Sequence, residues 1–330
     1  MLLSILLLLI INDLCYSVAI LKNPILITKG LQPYFEKIQE PLALQSLEKV
    51  ESRLLTLPSF VSDSQVECTF TKYESKDESS PKQPPIVLVH GFDSSSIEFR
   101  RIAPLLSSKH DVYCVDILGW GFSEINGIKD FSPEAKVKHL LAFINQVVGE
   151  KCVIGGASLG GAIAIHAATQ APELFKKLVL IDAQAFIDGD GPKNLPDILA
   201  KIGILILKSA PLRMFANYIA YSDKTFATWD AMLCGRIHCE VNNGEDWVNA
   251  SIKFLKSGGF VTSMLVKELA LPSLVLWGAE DQILEVETTN RFRQELKGSV
   301  IEIVDNSGHV PHLEQPDISA DLIMDFIGQY

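Results

Sequence analysis

The sequence lacks any run of lysine or arginine long enough to form a basic surface. Its 330 residues include 29 Lys and Arg against 40 Asp and Glu, which gives a formal net charge of −11 at pH 7. Binding to the phosphate backbone of a nucleic acid requires clustered positive charge. We therefore expect no nucleic-acid partner, and we interpret the acidic balance as a contribution to solubility.

Charged residues of either sign are also few, and regular repeats are absent. Charged residues make up 21 % of the chain and hydrophobic residues 48 %, a balance typical of packed globular proteins and not of disordered ones. We find no internal repeat and no coiled-coil heptad. A chain of this length forms one large domain or two small ones.

Cysteine is scarce, and its placement suits neither a disulfide framework nor a metal site. Six cysteines are present, and removal of an N-terminal signal that contains Cys15 would leave five, an odd number. Cys234, His238 and Cys239 lie close together in the sequence, but three soft ligands without a fourth are a weak metal signal. We expect no metal ion and no organic cofactor.

The first 21 residues differ from the rest of the chain. Residues 1–11 are almost purely apolar, and Asn12 and Asp13 then interrupt the apolar run. A helix of that length rises about 16 Å, roughly half of a bilayer core. The length favours a cleaved signal peptide, although no Lys or Arg precedes the apolar run; an uncleaved anchor and a buried helix are the alternatives.

We accordingly expect residues 1–21 to be a signal peptide or a membrane anchor. The protein would then enter the secretory pathway or associate with a membrane through this segment. Delivery to a plastid-like organelle, by a signal followed by further targeting, is the alternative location.

After residue 85 the sequence alternates between short apolar stretches and helical patterns. Six stretches are predominantly apolar and rich in Val and Ile, as expected of parallel strands covered on both faces. They are Ile86–Val89, Val112–Ile117, Cys152–Ile154, Leu178–Ile181, Leu274–Trp277 and Val300–Val304. Helical patterns occupy Ile97–Leu106, Pro133–Val148, Leu159–Thr169, Glu285–Leu296 and Ile318–Ile327. This order predicts an α/β fold with a doubly wound, mostly parallel sheet.

One interval interrupts the alternation. Residues 184–265 contain helical patterns but no clear strand, and we interpret them as a helical cap inserted between two core strands. The core then comprises residues 84–183 and 266–330. Residues 22–83 form an N-terminal extension with a first strand region. The predicted cap helices are Ile198–Leu207, Leu212–Ala220 and Trp247–Leu255.

The strongest chemical signal is the sequence GASLG at residues 156–160, which matches G-x-S-x-G. It lies between a predicted strand and a predicted helix, the setting of a nucleophile elbow, in which a sharp turn exposes a serine hydroxyl. The glycines on either side permit a close approach of strand and helix. We predict that Ser158 is a catalytic nucleophile.

A serine hydroxyl needs a base to remove its proton, and the base needs an acid to orient it. His309 directly follows a glycine in the loop after the last predicted strand, so we prefer it to His312 as the base. Asp281 follows the strand before that one, and we prefer it to its neighbour Glu280 as the acid. In such sheets ligands bind beyond the carboxyl ends of the strands, which is where these residues lie.

Acyl chemistry also needs N–H donors for the developing oxyanion. The backbone N–H of Leu159, directly after the predicted nucleophile, is one candidate. His90-Gly91-Phe92 ends the first predicted core strand and offers the N–H of Phe92 as the second. An ordinary strand-ending glycine turn is the alternative interpretation of this segment.

These motifs together resemble the α/β-hydrolase superfamily over roughly residues 84–330. The resemblance is carried by HGF at 90–92, DILGWGFS at 116–123, GASLG at 156–160, WGAED at 277–281 and SGHVPHLEQP at 307–316. The sequences of these motifs are most similar to those of a group of plant and algal α/β-hydrolases. Leu284 departs from the family pattern, because many relatives have a proline shortly after the acid.

The resemblance implies that Ser158, Asp281 and His309 form a catalytic triad, in the chain order of α/β-hydrolases, with Phe92 and Leu159 as oxyanion-hole residues. Epoxide hydrolases and haloalkane dehalogenases share the fold but have Asp at the nucleophile position, so the serine argues against both. We expect cleavage of an ester or thioester of a partly hydrophobic small molecule through an acyl-enzyme. An acyltransferase with the same triad and a ligand receptor with slow turnover are the alternatives.

Overall fold

The computed structural model describes residues 23–77, 82–189, 191 and 194–329. The signal peptide or membrane anchor expected at residues 1–21 lies outside the described residues. In the part of the chain that is described, no helix combines the length and the apolar composition needed to cross a membrane.

An eight-stranded sheet forms the centre of the fold. In chain order its strands are β1 Val50–Leu55, β2 Val66–Tyr73, β3 Ile86–Val89, β4 Val112–Val115, β5 Cys152–Ala157, β6 Phe175–Ile181, β7 Ser273–Gly278 and β8 Val300–Val304. Across the sheet they lie in the order β1-β2-β4-β3-β5-β6-β7-β8. β2 is antiparallel to both of its neighbours, and the other neighbouring pairs are parallel. The predicted α/β fold with a mostly parallel sheet is confirmed.

Helices cover both faces of this sheet. In chain order the α-helices are α1 Pro24–Thr28, α2 Gln32–Phe35, α3 Pro41–Glu48, α4 Ala103–Leu106, α5 Pro133–Phe143, α6 Leu159–Gln170, α7 Asp197–Lys208, α8 Ala210–Ala220, α9 Trp229–Arg236, α10 Glu245–Ser257, α11 Thr288–Glu295, α12 Pro311–Glu314 and α13 Pro316–Gly328. Short 3-10 helices are Ser96–Phe99, Pro172–Leu174, Lys224–Phe226, Ile237–Gly244 and Val266–Glu268, and a π-helical turn at Ile144–Val148 extends α5.

The apolar stretches at the centre of the sheet, β3, β5 and β7, correspond to strands that are buried on both faces. In β3, Val87 and Val89 belong to the hydrophobic cluster that contains α5 and α6 residues. Ile86 and Leu88, which alternate with them, belong to the cluster that contains α4 and α13 residues. A strand with a helix layer on each side has no polar face, which is why it appears in the sequence as an unbroken apolar run.

The predicted helix Ile97–Leu106 is wrong in its extent. The segment forms the 3-10 helix Ser96–Phe99 and then the short helix α4. Pro104 lies inside the predicted helix, and proline has no N–H to donate to the carbonyl four residues earlier. The proline is instead accommodated in the first turn of α4, where that N–H would be unpaired in any helix.

Helices α7 to α10 lie between β6 and β7, where the sequence predicted a helical insertion. The N-terminal helices pack against this part of the chain, because Leu31 and Phe35 share a hydrophobic cluster with Met232 and Ile237 of the insertion. The backbone N–H of Gln39 also donates to the Asp230 carboxylate at 2.9 Å. The N-terminal extension therefore supports the cap as well as supplying β1 and β2.

Candidate active site

Ser158 is the single residue between β5 and α6, and its backbone is strained. Its φ of 51° and ψ of −120° lie outside the regions that side-chain-bearing residues usually adopt. Its N–H donates to Ile181 O at 2.9 Å, and its carbonyl accepts from Gly161 N at 3.0 Å and Gln184 N at 2.8 Å. Because these three bonds fix the main chain, the partly exposed side chain is held at the start of α6.

The glycines on either side of Ser158 are required by the packing of this turn. A Cβ atom on Gly160 would approach the carbonyl oxygens of Val89 and His90 to less than 3.0 Å. A Cβ atom on Gly156 would collide with the main chain at Gly160. The small residues thus allow α6 to begin directly against the end of β3, which brings the loop after β3 beside the serine.

His309 and Asp281 lie at the ends of neighbouring strands and are bonded to each other. His309 Nδ1 is 2.8 Å from Asp281 Oδ2, and both residues are 8 % exposed. The other carboxylate oxygen accepts N–H bonds from Ile283 at 2.8 Å and Leu284 at 3.0 Å. A proline at position 284 could not donate this bond, so the departure from the family pattern gives Asp281 an additional donor.

The charge of Asp281 follows from these contacts. Burial raises the pKa of Asp281, but the hydrogen bond and the charge of His309 oppose it and hold the pKa below its usual value. Asp281 is therefore ionised at neutral pH and able to orient the imidazole through its Nδ1.

His312 and Glu280, the alternatives to His309 and Asp281 in the sequence analysis, contact other residues. His312 is fully buried, and its Nε2 lies 3.5 Å from Glu98 Oε1. Glu280 is exposed and bonds to the hydroxyl of Ser222 in the cap. The structure thus brings Asp281 together with His309, whereas His312 and Glu280 each contact another residue.

The two predicted oxyanion donors lie on either side of Ser158 in the fold. A Cβ atom on Gly91 would be 3.5 Å from the Cβ of Ser158, so the loop after β3 passes directly beside the serine. The Gly91 N–H is held by both oxygens of Glu98, at 3.2 and 3.0 Å. Leu159 is the first residue of α6, and its N–H has no acceptor within the helix. The main chain at Gly91 and Leu159 therefore lies beside Ser158, and the role of the Phe92 and Leu159 N–H groups as oxyanion donors stays a prediction.

A cavity of about 340 Å³ joins these residues to the cap. Ser158 and His309 both line it. The cap and the loops facing it contribute mainly apolar side chains, among them Leu207, Leu212, Met232, Ile283, Val310 and Leu313. A cavity with this lining is suited to an apolar portion of a ligand.

Sequence reasoning missed Asp182, which lies behind Asp281. Its carboxylate oxygen Oδ1 accepts a hydrogen bond from the N–H of Gly278 at 2.9 Å. A carboxylate oxygen of Asp182, a carboxylate oxygen of Asp281 and a ring nitrogen of His309 lie within 4.8 Å of one another. Burial and the neighbouring Asp281 charge raise the pKa of Asp182 well above its usual value. Asp182 directly follows β6, so the strand-end argument that found Asp281 would also have found it.

Replacement of Asp182 by asparagine tests this charge state. Because the folded protein binds the Asp182 proton more tightly than the unfolded chain does, wild-type stability falls as pH rises above about 4. The variant carries no such proton. Its melting temperature minus that of the wild type should therefore increase between pH 4 and pH 8, as measured by thermal unfolding.

Asp188→Asn provides a control of opposite sign. Hydrogen bonds from Ser263 lower the pKa of Asp188, so the wild-type contribution is present above its unfolded pKa and is lost as pH falls. The melting-temperature difference for Asp188→Asn should therefore become more negative as pH rises. A difference for Asp182→Asn that is constant or decreasing with pH would show that Asp182 is ionised.

Two groups of three within the described residues offer atoms that metals bind. They are Asp182 with Asp281 and His309, and Asp93 with His238 and Cys239. In the first group the hydrogen bond between Asp281 and His309 occupies ligand atoms. In the second group the guanidinium of Arg213 bonds to Asp93 and lies 3.4 Å from Cys239 Sγ, a cation already in the place that a metal would take. Neither group therefore has the free ligand set that a metal ion needs.

The sheet order with one reversed strand, the helices inserted after β6 and the serine at the turn into α6 define an α/β-hydrolase fold. The chain belongs to the Alpha/beta hydrolase family, whose family model matches residues 86–322. It is thus a hydrolase by family, in agreement with the resemblance found in its motifs.

Individual relatives agree with this assignment. The chain is 35 % identical over 245 residues to the α/β-hydrolase domain-containing protein VTE7 of Arabidopsis thaliana, covering 73 % of each chain. It is 28 % identical over 244 residues to Lipase 1 of Psychrobacter immobilis, covering 72 % of this chain and 74 % of the lipase. The structure of a thermophilic esterase from Thermogutta terrifontis aligns with a TM-score of 0.68 at 21 % identity, over 84 % of this chain and 98 % of the esterase. At that identity the last comparison shows the fold alone.

Proposed function

We propose that this protein is a serine hydrolase that cleaves an ester or thioester of a partly hydrophobic small molecule. The observation that carries the proposal is that Ser158, on its strained turn, and His309, bonded to Asp281, line one cavity. The names of a lipase and an esterase among the similar proteins support ester chemistry. The apolar cavity lining supports a hydrophobic part in the substrate.

In the proposed mechanism Ser158 Oγ attacks the carbonyl carbon of the substrate and forms an acyl-enzyme. His309 Nε2 takes the serine proton and then gives it to the leaving alcohol or thiol. Asp281 holds the imidazole through Nδ1 and stabilises its positive charge. The backbone N–H groups of Phe92 and Leu159 bind the oxyanion of the tetrahedral intermediate. Water then enters, and the same steps in reverse order release the acid.

A series of p-nitrophenyl esters and acyl thioesters of increasing chain length tests this proposal. We expect hydrolysis by the wild type and a loss of roughly 10⁴- to 10⁶-fold in kcat for Ser158→Ala. An excess of a simple alcohol should be added in a parallel series. Formation of the new ester in place of the acid would instead identify an acyltransferase, and binding without turnover of any substrate would identify a receptor.

A further inference from the structure

A buried carboxylate next to the predicted oxyanion donor has no part in the mechanism above. Asp93 directly follows Phe92, its φ of 50° is left-handed, and its side chain is 1 % exposed. An aspartate tolerates this backbone conformation better than most residues do, but it still costs free energy. Other contacts of Asp93 must therefore hold it there.

Within the described residues, each donor to Asp93 comes from the cap. Arg213 on α8 bonds through Nη2 to the Asp93 carboxylate and through Nη1 to its carbonyl oxygen at 3.1 Å. His238, in the 3-10 helix after α9, places Nε2 at 2.9 Å from Oδ1. Trp247 on α10 donates its Nε1–H to the same oxygen at 2.8 Å. One core carboxylate thus binds three separate helices of the cap.

Arg213 extends this contact further into the cap. Its Nε donates to Leu207 O at 2.9 Å, and its Nη1 donates to Gly235 O at 3.2 Å. The guanidinium therefore connects the end of α7 and the end of α9 to Asp93. It also lines the cavity that contains Ser158.

The Asp93 carboxylate is ionised throughout the working pH range of an enzyme. Burial raises the pKa of Asp93, but the Arg213 charge and the bonds from His238 and Trp247 lower it to about 2. Loss of Arg213 would leave this charge buried without its ion-pair partner, which is costly in a protein interior. The contact between Asp93 and the cap is therefore stable only when Arg213 is present to pair with the carboxylate.

The loop is fixed on its other side by the core. Glu98 holds the N–H of Gly91, and the cap holds Asp93, so Phe92 lies between two anchored residues. The orientation of the Phe92 N–H depends on both anchors. An oxyanion donor acts only when it is preorganised at the right distance.

We propose that Asp93 is a positioning residue that fastens the cap to the loop of residues 91–93. The Phe92 N–H then faces Ser158 only while the cap is packed against this loop. The proposal rests on the proposed function for its catalytic consequence. Packing of the cap over a substrate and assembly of the oxyanion hole then occur in the same step.

Four variants test the coupling. Asp93→Asn and Arg213→Met break the ion pair, and Trp247→Phe removes one donor while keeping an aromatic ring. Arg236→Met is the matched control, since Arg236 pairs with Glu240 within the cap at 2.7 Å and does not bond to Asp93. The substrate is p-nitrophenyl acetate, because its short acyl group makes few contacts with the cap.

For Asp93→Asn and Arg213→Met we expect kcat to fall by roughly 10- to 100-fold with KM within about threefold, since only transition-state binding is lost. Trp247→Phe should show a smaller fall in the same direction. Arg236→Met should retain kcat whatever its melting temperature. Phosphonylation of Ser158 by a fluorophosphonate should slow in the same order, because that reaction also places negative charge in the oxyanion hole.

Hydrogen–deuterium exchange supplies a readout that does not require turnover. Asp93→Asn or Arg213→Met should accelerate exchange in residues 91–93 and in α8 and α10 together, and the double variant should add little to either single one. The proposal would be overturned if Asp93→Asn and Arg213→Met both kept the wild-type kcat. It would also be overturned if kcat fell in proportion to the loss in melting temperature in all variants, the control Arg236→Met included. Absence of wild-type ester hydrolysis combined with the coupled exchange would contradict the proposed function and retain the cap coupling.

Discussion

Replacement of His309 by glutamine should lower kcat for ester hydrolysis by roughly 10⁴- to 10⁶-fold. Glutamine keeps the polarity and approximate size of the side chain but cannot accept the serine proton at neutral pH. Asp281 would remain in place through its bonds to the N–H groups of Ile283 and Leu284. The loss should therefore fall on kcat, measured in steady-state assays after circular dichroism has shown native folding.

His312→Gln is the matched control for this prediction. His312 lies three residues further along the chain, is fully buried and faces Glu98 instead of Asp281. Its replacement disturbs the residue that holds the Gly91 N–H, so we expect a decrease in kcat of about tenfold or less. A loss for His312→Gln as large as that for His309→Gln, or full activity in His309→Gln, would contradict the assignment of the base.

Replacement of Gly160 by alanine should destabilise the protein by about 3 kcal/mol or more, at the upper end of the usual cost of overpacking. The added Cβ would lie within 3.0 Å of the carbonyl oxygens of Val89 and His90. Val89 ends a central strand that is paired on both sides, and His90 directly follows it, so the main chain cannot withdraw easily. Urea unfolding of the purified variant measures the change, and failure to accumulate as soluble protein is its extreme form.

Gly203→Ala is the control for the same substitution in open space. Gly203 is exposed in the middle of α7, and a Cβ there would meet nothing within 4 Å. Alanine restricts the unfolded chain and favours the helix, so we expect stabilisation of about 0.5–1 kcal/mol. Equal effects at the two positions would show that the tight contact at Gly160 does not determine its cost.

The sequence predicted those parts of the fold whose burial leaves an unambiguous pattern. β3, β5 and β7 are buried along their whole length and appear in the sequence as continuous apolar stretches. Only an unplaced strand region is predicted within residues 22–83, where both β1 and β2 lie. β1 is an edge strand with exposed positions, and Glu51 and Arg53 interrupt its apolar pattern. The helix predicted at Ile97–Leu106 was wrong because the pattern of apolar residues was given more weight than Pro104.

The candidate site likewise has parts that the local sequence predicts and parts that it does not. Ser158 lies on a strand–helix turn, and Asp281 and His309 lie in the short loops that follow β7 and β8, so local sequence was enough to propose them. The contacts that hold the site together join residues far apart in the chain. Asp93 and Arg213 are 120 positions apart, and no local pattern in either segment indicates the other. Such pairings emerge only when the cap is packed on the core.

The central claim is that Ser158 is a nucleophile activated by His309, and covalent labelling tests it most directly. The folded wild type should react with a fluorophosphonate probe, gain the mass of one adduct, and carry it on the peptide that contains Ser158. Labelling should be absent in Ser158→Ala and much slower in His309→Gln. Failure of the folded wild type to label, or an adduct located on another residue, would contradict the account.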